Sequence, residues 1–427
     1  MKKSKYVIAG NSAAAVAAIE SIRKADRKGE ITVISKEPYL SYSRPLVTYL
    51  LAGVVNENKM LYRDKEFYKK FEVELTLGEE AVDISPERKI VKLSNGEEIM
   101  YEKLLIATGG TPIFPATKGN NLRGVFTFTS WDDAKRVDEY IKTENVEYAV
   151  VVGGGLIGLK TSEALIARKI KLTIIELADR VLSATFDRKA SDLVEKKLKE
   201  VGCEIRAKTT VGEILGKEKV EGVVLQDGTR LDCQMVIFAI GVRPNSEIAK
   251  NAGLKVNKGI ITDGRMRTSA PDIYAAGDVA EAYDSLLGVN RQIAIWPTAY
   301  WQGAIAGANM TGKDERYGGA FAMNSVEICG LPTISVGITD PKDPGYEILE
   351  RYNGEKLVYK KIVLRDDKVV GAIFIGKIDR AGIFTNMIKE KIDVGTFKNS
   401  LLNDDFGLAW FPKEFRKHMV VGEGIEI

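Results

Sequence analysis

Two kinds of pattern alternate along the first 320 residues: short unbroken apolar runs that end in glycine, and longer small-residue stretches with helical spacing. Residues 6–10, Tyr-Val-Ile-Ala-Gly, form one such run, and residues 150–153, Val-Val-Val-Gly, form another. Each is followed by a small-residue-rich segment. Each of those leads to a second apolar run, at residues 31–34 and 172–175. This pattern predicts strand, glycine turn, helix and strand, twice over, with strands apolar enough for a parallel sheet covered on both faces. Residues 90–93 and 98–100, separated by Asn95 and Gly96, predict a β-hairpin, as do residues 223–226 and 229–232 around Asp227 and Gly228. The chain therefore reads as a duplicated nucleotide-binding βαβ design. After residue 320 the texture changes. Residues 357–364 and 369–375 predict an antiparallel pair around Asp366 and Asp367, a helix is expected over 381–391, and residues 340–345 are a turn-rich loop. The expected boundaries are 1–116 with 250–320 for one unit, 117–249 for the second, and 321–427 for a C-terminal α+β domain.

Other signals narrow the class. Lys2, Lys3 and Lys5 before an alanine-rich run resemble a secretion signal, but Asn11, Ser12, Glu20 and Arg23 interrupt it and favour a strand and helix. No uncharged apolar stretch reaches the roughly 18 residues of a membrane span, so a cytoplasmic, reducing location is expected. The 427 residues allow roughly two to three domains, and 40 of them are glycine, an excess that suggests backbone approaching ligands closely. The net charge of +3, from 62 basic and 59 acidic residues, excludes a strong polyanion footprint, so no nucleic-acid partner is expected. Cys203, Cys233 and Cys329 show no metal-type or redox-pair spacing, so no zinc cage or cluster of the chain's own is expected. Cys329 reads as a small buried hydrophobe. His418, the one histidine, reads as a surface imidazole on a basic tail.

Gly153, Gly155 and Gly158 fit GxGxxG between a strand and a helix, and Glu176 closes the next strand about 20 residues on. The chemistry needs these types. The first glycine makes the turn, the second lets backbone reach a pyrophosphate at the helix N-terminus, and the third lets helix and strand pack closely. The acid accepts the ribose 2′-OH and repels a 2′-phosphate, so NADH is preferred to NADPH. The first unit is degenerate: Gly10 keeps the turn, but Ser12 and Ala15 replace the later glycines, and Ser35 stands where Glu176 has its counterpart. Glu37 is placed to serve after a small shift; a well-packed structural helix is the alternative.

Five motifs in order, residues 10–15, 107–109 (Ala-Thr-Gly), 153–158, 241–245 (Gly-Val-Arg-Pro-Asn) and 277–278 (Gly-Asp), resemble the FAD-dependent pyridine nucleotide–disulfide oxidoreductase superfamily over roughly residues 5–320. The resemblance implies an α/β fold of two Rossmann-like dinucleotide-binding domains, the FAD domain split around the NAD domain, and Asp278 at the FAD ribityl or pyrophosphate. Residues 38–45, Pro-Tyr-Leu-Ser-Tyr-Ser-Arg-Pro, hold no cysteine where disulfide reductases of the superfamily carry theirs, and their histidine base is lacking. The segment resembles the branch of rubredoxin reductase and the nitrite reductase NADH domain, as do residues 295–303. There, the Gln302-Gly303 helix start is implied to abut the flavin pyrimidine. Residues 323–332 resemble the C-terminal domain of related anaerobe proteins, some of them accessory flavoproteins associated with carbon monoxide dehydrogenase. Relatives often dimerise through that domain, which implies a homodimer.

Lys160 replaces a glutamate that relatives pair with a lysine, whose position here is read as Thr48. Lys160 is expected near flavin N5 and O4, with an exposed helix lysine beside Glu163 as the alternative. Arg44 is expected at the FAD pyrophosphate or in a surface salt bridge, and Trp296 and Trp301 beside the flavin or in the domain junction. The full set of expected cofactor contacts is Gly10, Ser12, Ala13, Ala14, Glu37, Arg44, Pro45, Val82, Ala107, Thr108, Gly109, Gly153, Gly155, Leu156, Ile157, Gly158, Glu176, Gly241, Gly277, Asp278, Trp296 and Thr298. The function implied is an FAD-dependent oxidoreductase that takes hydride from NADH and passes electrons to an external acceptor, a small iron–sulfur protein of rubredoxin or ferredoxin type. The rival readings are an NADH oxidase or CoA-disulfide-reductase-like enzyme, and a non-catalytic redox-sensing flavoprotein subunit.

Overall fold

The computed structural model describes residues 1–411; His418 lies outside the described residues. Strand Lys2–Ala9 runs parallel to Ile31–Ser35 on one side and to Glu98–Ile106 on the other. Val73–Leu77 extends this sheet beyond Ile31–Ser35, and Ile273–Ala275 joins it beside Glu98–Ile106, also in parallel. The hairpin expected around Asn95 and Gly96 forms, with Ile90–Leu93 antiparallel to Glu98–Ile106 and Ala81–Ser85 antiparallel beyond it at the edge. The sheet thus has seven strands, and its last one comes from far downstream in the chain.

Between those contributions lies a second parallel sheet. Tyr148–Val152 is flanked by Lys171–Glu176 and Met235–Phe238, with Glu204–Ala207 and Val125–Thr127 at the edges. The hairpin around Asp227 and Gly228 joins Gly222–Leu225 to Arg230–Asp232. Residues from 323 on build a five-stranded antiparallel sheet that includes Val358–Arg365 beside Lys368–Ile375, backed by helix Ala381–Glu390. No helix among the described residues is long and apolar enough to cross a membrane.

Helix Ala13–Ala25 is alanine-rich because another backbone lies against it. It packs on helix Trp296–Met310, where a Cβ on Gly303 would sit 2.1 Å from the Ala14 carbonyl oxygen and one on Gly307 2.5 Å from that of Ala18. Two helices absent from the sequence reading, Trp131–Thr143 and Arg188–Glu200, carry amphipathic spacing and start signals: a Ser130–Asp133 capping box and an Asp187 cap.

The second sheet and the C-terminal sheet share one core. Ile328, Leu331, Tyr359, Ile373 and Ile375 pack in the same apolar cluster as Ala149, Val151, Leu193 and Val194. At its edge Asp187 accepts from Ala190 N (3.0 Å), Tyr359 Oη (2.7 Å) and Lys361 Nζ (2.8 Å), so the buried carboxylate is fully partnered.

Candidate functional site: a cleft between two nucleotide-binding turns

A cleft of about 1970 Å³ opens where the ends of the first sheet's strands meet helix Leu156–Ala167 and strand Met323–Ile328. That exceeds the roughly 1,000 Å³ upper end of ordinary small-molecule pockets, enough for an extended dinucleotide. One wall is the turn after strand Lys2–Ala9. Gly10 has φ +121°, and a Cβ there would lie 2.1 Å from the Ala107 carbonyl oxygen. Glycine is required here by the crossing of two strand ends as well as by the turn. Ser12 caps the following helix without a side-chain bond, which leaves the first-turn N–H groups unpaired within the helix. Gly10, Ser12, Ala13 and Ala14 all line the cleft. An anion at this helix start is the partner such groups lack.

Positions 35 and 37 are bonded differently. Ser35 is buried and its Oγ donates to the Glu37 carbonyl (2.9 Å). Glu37 lines the cleft, accepting from Tyr42 Oη (2.8 Å) and Arg44 Nη2 (2.5 Å). Arg44 also lies over the Tyr42 ring, 5.1 Å from its centroid. Pro45 and Val82 complete this side.

The opposite wall joins two motifs far apart in sequence. Asn245 Nδ2 donates to the Thr108 carbonyl (2.9 Å), Thr108 Oγ1 to the Asn245 carbonyl (3.1 Å), and Asn245 N to the Gly109 carbonyl (2.9 Å). Strand Val242–Pro244 pairs with Gly110–Pro112 beside them. Asn245 is therefore what holds the Ala107, Thr108 and Gly109 turn at the cleft, a role its motif membership alone did not reveal. Gly277 and Asp278 follow strand Ile273–Ala275 into the same space. Burial pushes the Asp278 carboxyl up from its ordinary value, and the positive charge of Arg44 pulls it back.

Trp296, first residue of its helix, lines the cleft edge-to-face with Tyr62, centroids 5.1 Å apart. Three expectations near it are corrected. Trp301 is 47% exposed and off the cleft, because five residues of helix turn it away from Trp296. Thr298 is fully buried, outside the cleft lining, with its Oγ1 unpartnered. Gln302 and Gly303 lie mid-helix rather than at a helix start: Gln302 Oε1 accepts from Gly277 N (2.8 Å), and Gly303 serves helix packing.

The second turn repeats the first. Gly153 has φ +115°, and its Cβ would lie 2.4 Å from the Ala239 carbonyl oxygen. A Cβ on Gly158 would lie 1.9 Å from the Gly153 carbonyl oxygen, whereas one on Gly155 meets nothing within 4 Å. Tight packing below and open space above is the cradle a pyrophosphate needs. Glu176 accepts from Gly154 N (2.6 Å) and Ala178 N (2.7 Å), which fixes the carboxylate beside the turn. Leu156, Ile157 and Lys160 line the large cleft, whereas Gly153, Gly155, Gly158, Glu176 and Gly241 do not.

Lys160 ion-pairs with Glu163, donates to the Glu327 carbonyl (3.1 Å) and sits 4.8 Å over the Tyr49 ring. Tyr49 lies on the short helix Val47–Leu51, next to Thr48, the position read as the counterpart of the relatives' lysine. No cysteine lines the cleft. Burial pushes the thiols of Cys203 and Cys233 up to about 12 and that of Cys329 up to about 11. Cys329 is half-buried, its N–H bonded to Glu163 Oε1 (3.1 Å).

Comparison with known proteins agrees with this geometry. Residues 4–303 match the family described as pyridine nucleotide-disulphide oxidoreductase, and residues 323–392 match the rubredoxin NAD+ reductase C-terminal domain. The chain is 29% identical over 92% of its length, and 93% of the relative's, to the NADH-dependent phenylglyoxylate dehydrogenase subunit epsilon of Aromatoleum evansii. It is 31% identical to the CoA-dependent NAD(P)H sulfur oxidoreductase of Pyrococcus furiosus, covering 89% and 91% of the two chains. It spans about half the length of another relative, nitrite reductase [NAD(P)H] of Bacillus subtilis (49%). The solved NADH:rubredoxin oxidoreductase of Clostridium acetobutylicum superposes with TM-score 0.76 at 26% identity, over 93% of this chain and 98% of that one. Two glycine-floored turns, each with a held acid, a broad cleft beside the first of them and this breadth of likeness have one reading: the chain belongs to the FAD-dependent pyridine nucleotide–disulfide oxidoreductase family, an oxidoreductase whose cofactors are FAD and NAD(H).

Proposed function

We propose that this enzyme oxidises NADH and hands the electrons directly to an external acceptor, a small iron–sulfur protein. The observation that carries the reading is the thiol-free cleft: Ser41 and Ser43 stand in the segment after the second strand, and the three cysteines lie elsewhere with their thiols held protonated. The relatives support a protein acceptor, since one is a subunit of an NADH-dependent dehydrogenase and one solved structure is a rubredoxin oxidoreductase. FAD, when bound, supplies the conversion of a two-electron hydride donor into single-electron delivery.

The chain's own residues bind and orient. The free amides after Gly10 and the carboxylate of Glu37 receive one dinucleotide along the cleft, with Arg44 and Asp278 at its centre. The turn at Gly153 and the carboxylate of Glu176 receive the other, and helix Leu156–Ala167 brings the two together. Lys160 ties that helix to Tyr49 on one side and to Glu327 on the other, which holds the junction in register. Holding the two reactive rings together supplies most of the rate, with no side-chain acid or base required.

The test is anaerobic stopped-flow absorbance. Yellow protein is expected to bleach on mixing with NADH and to regain colour with oxidised rubredoxin or ferredoxin. Protein that holds FAD and is not reduced by NADH overturns the dehydrogenase reading. Bleaching with re-oxidation only by a CoA-linked disulfide or polysulfide would move the acceptor to the sulfur chemistry of the Pyrococcus relative.

A further inference from the structure

The loop that follows Glu176 carries an arginine whose charge is spent before any nucleotide arrives. The loop is fastened to the glycine turn at both ends: Gly154 N donates to Glu176 Oε2 (2.6 Å), and Leu182 N donates to the Gly154 carbonyl (2.8 Å). Arg180 lies within it, its side chain only 14% exposed. Its Nη1 donates to Asp179 (2.9 Å), and its Nη2 donates to the Phe186 carbonyl (3.3 Å) and to Asp340 Oδ2 (3.1 Å), while Nε is buried with no partner. Asp340 is not part of the nucleotide unit. It comes from the turn-rich loop after strand Leu331–Gly337 of the C-terminal sheet, and it also receives Lys342 Nζ (2.7 Å).

A guanidinium next to the ribose-binding acid is the group best shaped to fork onto a 2′-phosphate. Here two carboxylates from two different domains occupy it. We propose that Asp340 is a specificity-determining residue for the nucleotide: by holding Arg180 away from the ribose it withholds the one cation of residues 177–181, and so enforces NADH over NADPH together with Glu176. The inference rests on the assignment of the Gly153 turn to NADH. It adds that selectivity is set partly from outside the nucleotide unit, by a residue that touches neither cofactor.

The experiment compares kcat/KM for NADPH and NADH in wild type, Asp340→Ala, Arg180→Met and the double variant, with flavin bleaching as readout. It is paired with calorimetric titration of 2′,5′-ADP against 5′-AMP. Asp340→Ala is expected to leave NADH turnover unchanged and to raise the NADPH/NADH ratio about tenfold, the worth of one charge-assisted hydrogen bond. Binding of 2′,5′-ADP should tighten relative to 5′-AMP by a similar factor. Arg180→Met in the Asp340→Ala background should cancel both gains, which mere loosening of the loop would not do. A ratio within twofold of wild type, with NADH turnover intact, overturns this inference alone. Wild-type protein that binds neither 5′-AMP nor NADH overturns the nucleotide assignment and this inference with it.

Discussion

The two glycine turns are built on the same floor with different materials. At Gly10 and at Gly153 a neighbouring strand's carbonyl, from Ala107 or Ala239, fills the space a side chain would take. Above that floor they diverge. The second turn keeps glycine at 155 and 158 and holds its acid, Glu176, with two backbone N–H groups. The first has Ser12 and Ala15 in their place, and Glu37 beside it is held by Tyr42 and Arg44. The loss of the later glycines is offset across the molecule, where Gly303 and Gly307 let a second helix press against the alanines. The geometry that must be kept is the floor and the held acid; which residues build the rest is free.

The sharpest way to break the comparison is at the floors. Gly10→Ala is expected to give protein that purifies without FAD, because a Cβ against backbone at positive φ has no room to relax. Gly153→Ala is expected to stay yellow while its bleaching by NADH weakens by at least a hundredfold. The flavin-to-protein absorbance ratio and the NADH dependence of bleaching decide it; if both variants lose FAD, the two turns are one cooperative unit. Next in size, Gly303→Ala should lower stability by about 3 kcal/mol, read by thermal unfolding, since overpacking two helix backbones costs about this much. An unchanged Tm would mean the helices separate freely and the alanines of the first turn are incidental. Smaller still, Glu37→Gln should weaken FAD binding and Glu176→Gln should raise the KM for NADH, each about tenfold, as expected for one charge-assisted hydrogen bond to a ribose. Exchanged phenotypes would reverse the assignment of the turns. The smallest effect expected is none. With thiols at about 11 to 12, roughly one in a thousand or fewer is ionised at pH 8. Iodoacetamide at that pH should leave bleaching by NADH unchanged, and inactivation would bring a cysteine into the reaction.

Much of this was legible in the sequence because it is written locally. Apolar runs ending in Gly10 and Gly153, the Asn95-Gly96 and Asp227-Gly228 hairpins, and Glu176 at a strand end each depend on neighbours a few residues away. What was hidden depends on partners far along the chain. That Asn245 locks Thr108 and that Gln302 holds Gly277 follow from strand ends meeting in space. Trp301 and Thr298 were misplaced for the same reason: where the helix of Trp296 begins decides which of its residues face the cleft, and the mixture of small and aromatic residues there shows no clear apolar face. The Tyr49 contact with Lys160 was not foreseen, because a short helix of five residues, Val47–Leu51, gives little periodicity to count.

The core shared by the second sheet and the C-terminal sheet has an engineering consequence. Segments that look interchangeable on paper are not separable parts. Cutting the chain at residue 320 would strip Tyr359, Lys361 and four further buried apolar residues from around Asp187 and Leu193, leaving a solvent-facing scar on the nucleotide unit. Such a fragment is expected to aggregate in light-scattering measurements unless the scar is redesigned. Chimeras that exchange specificity between relatives should therefore transplant these two regions as a single cassette.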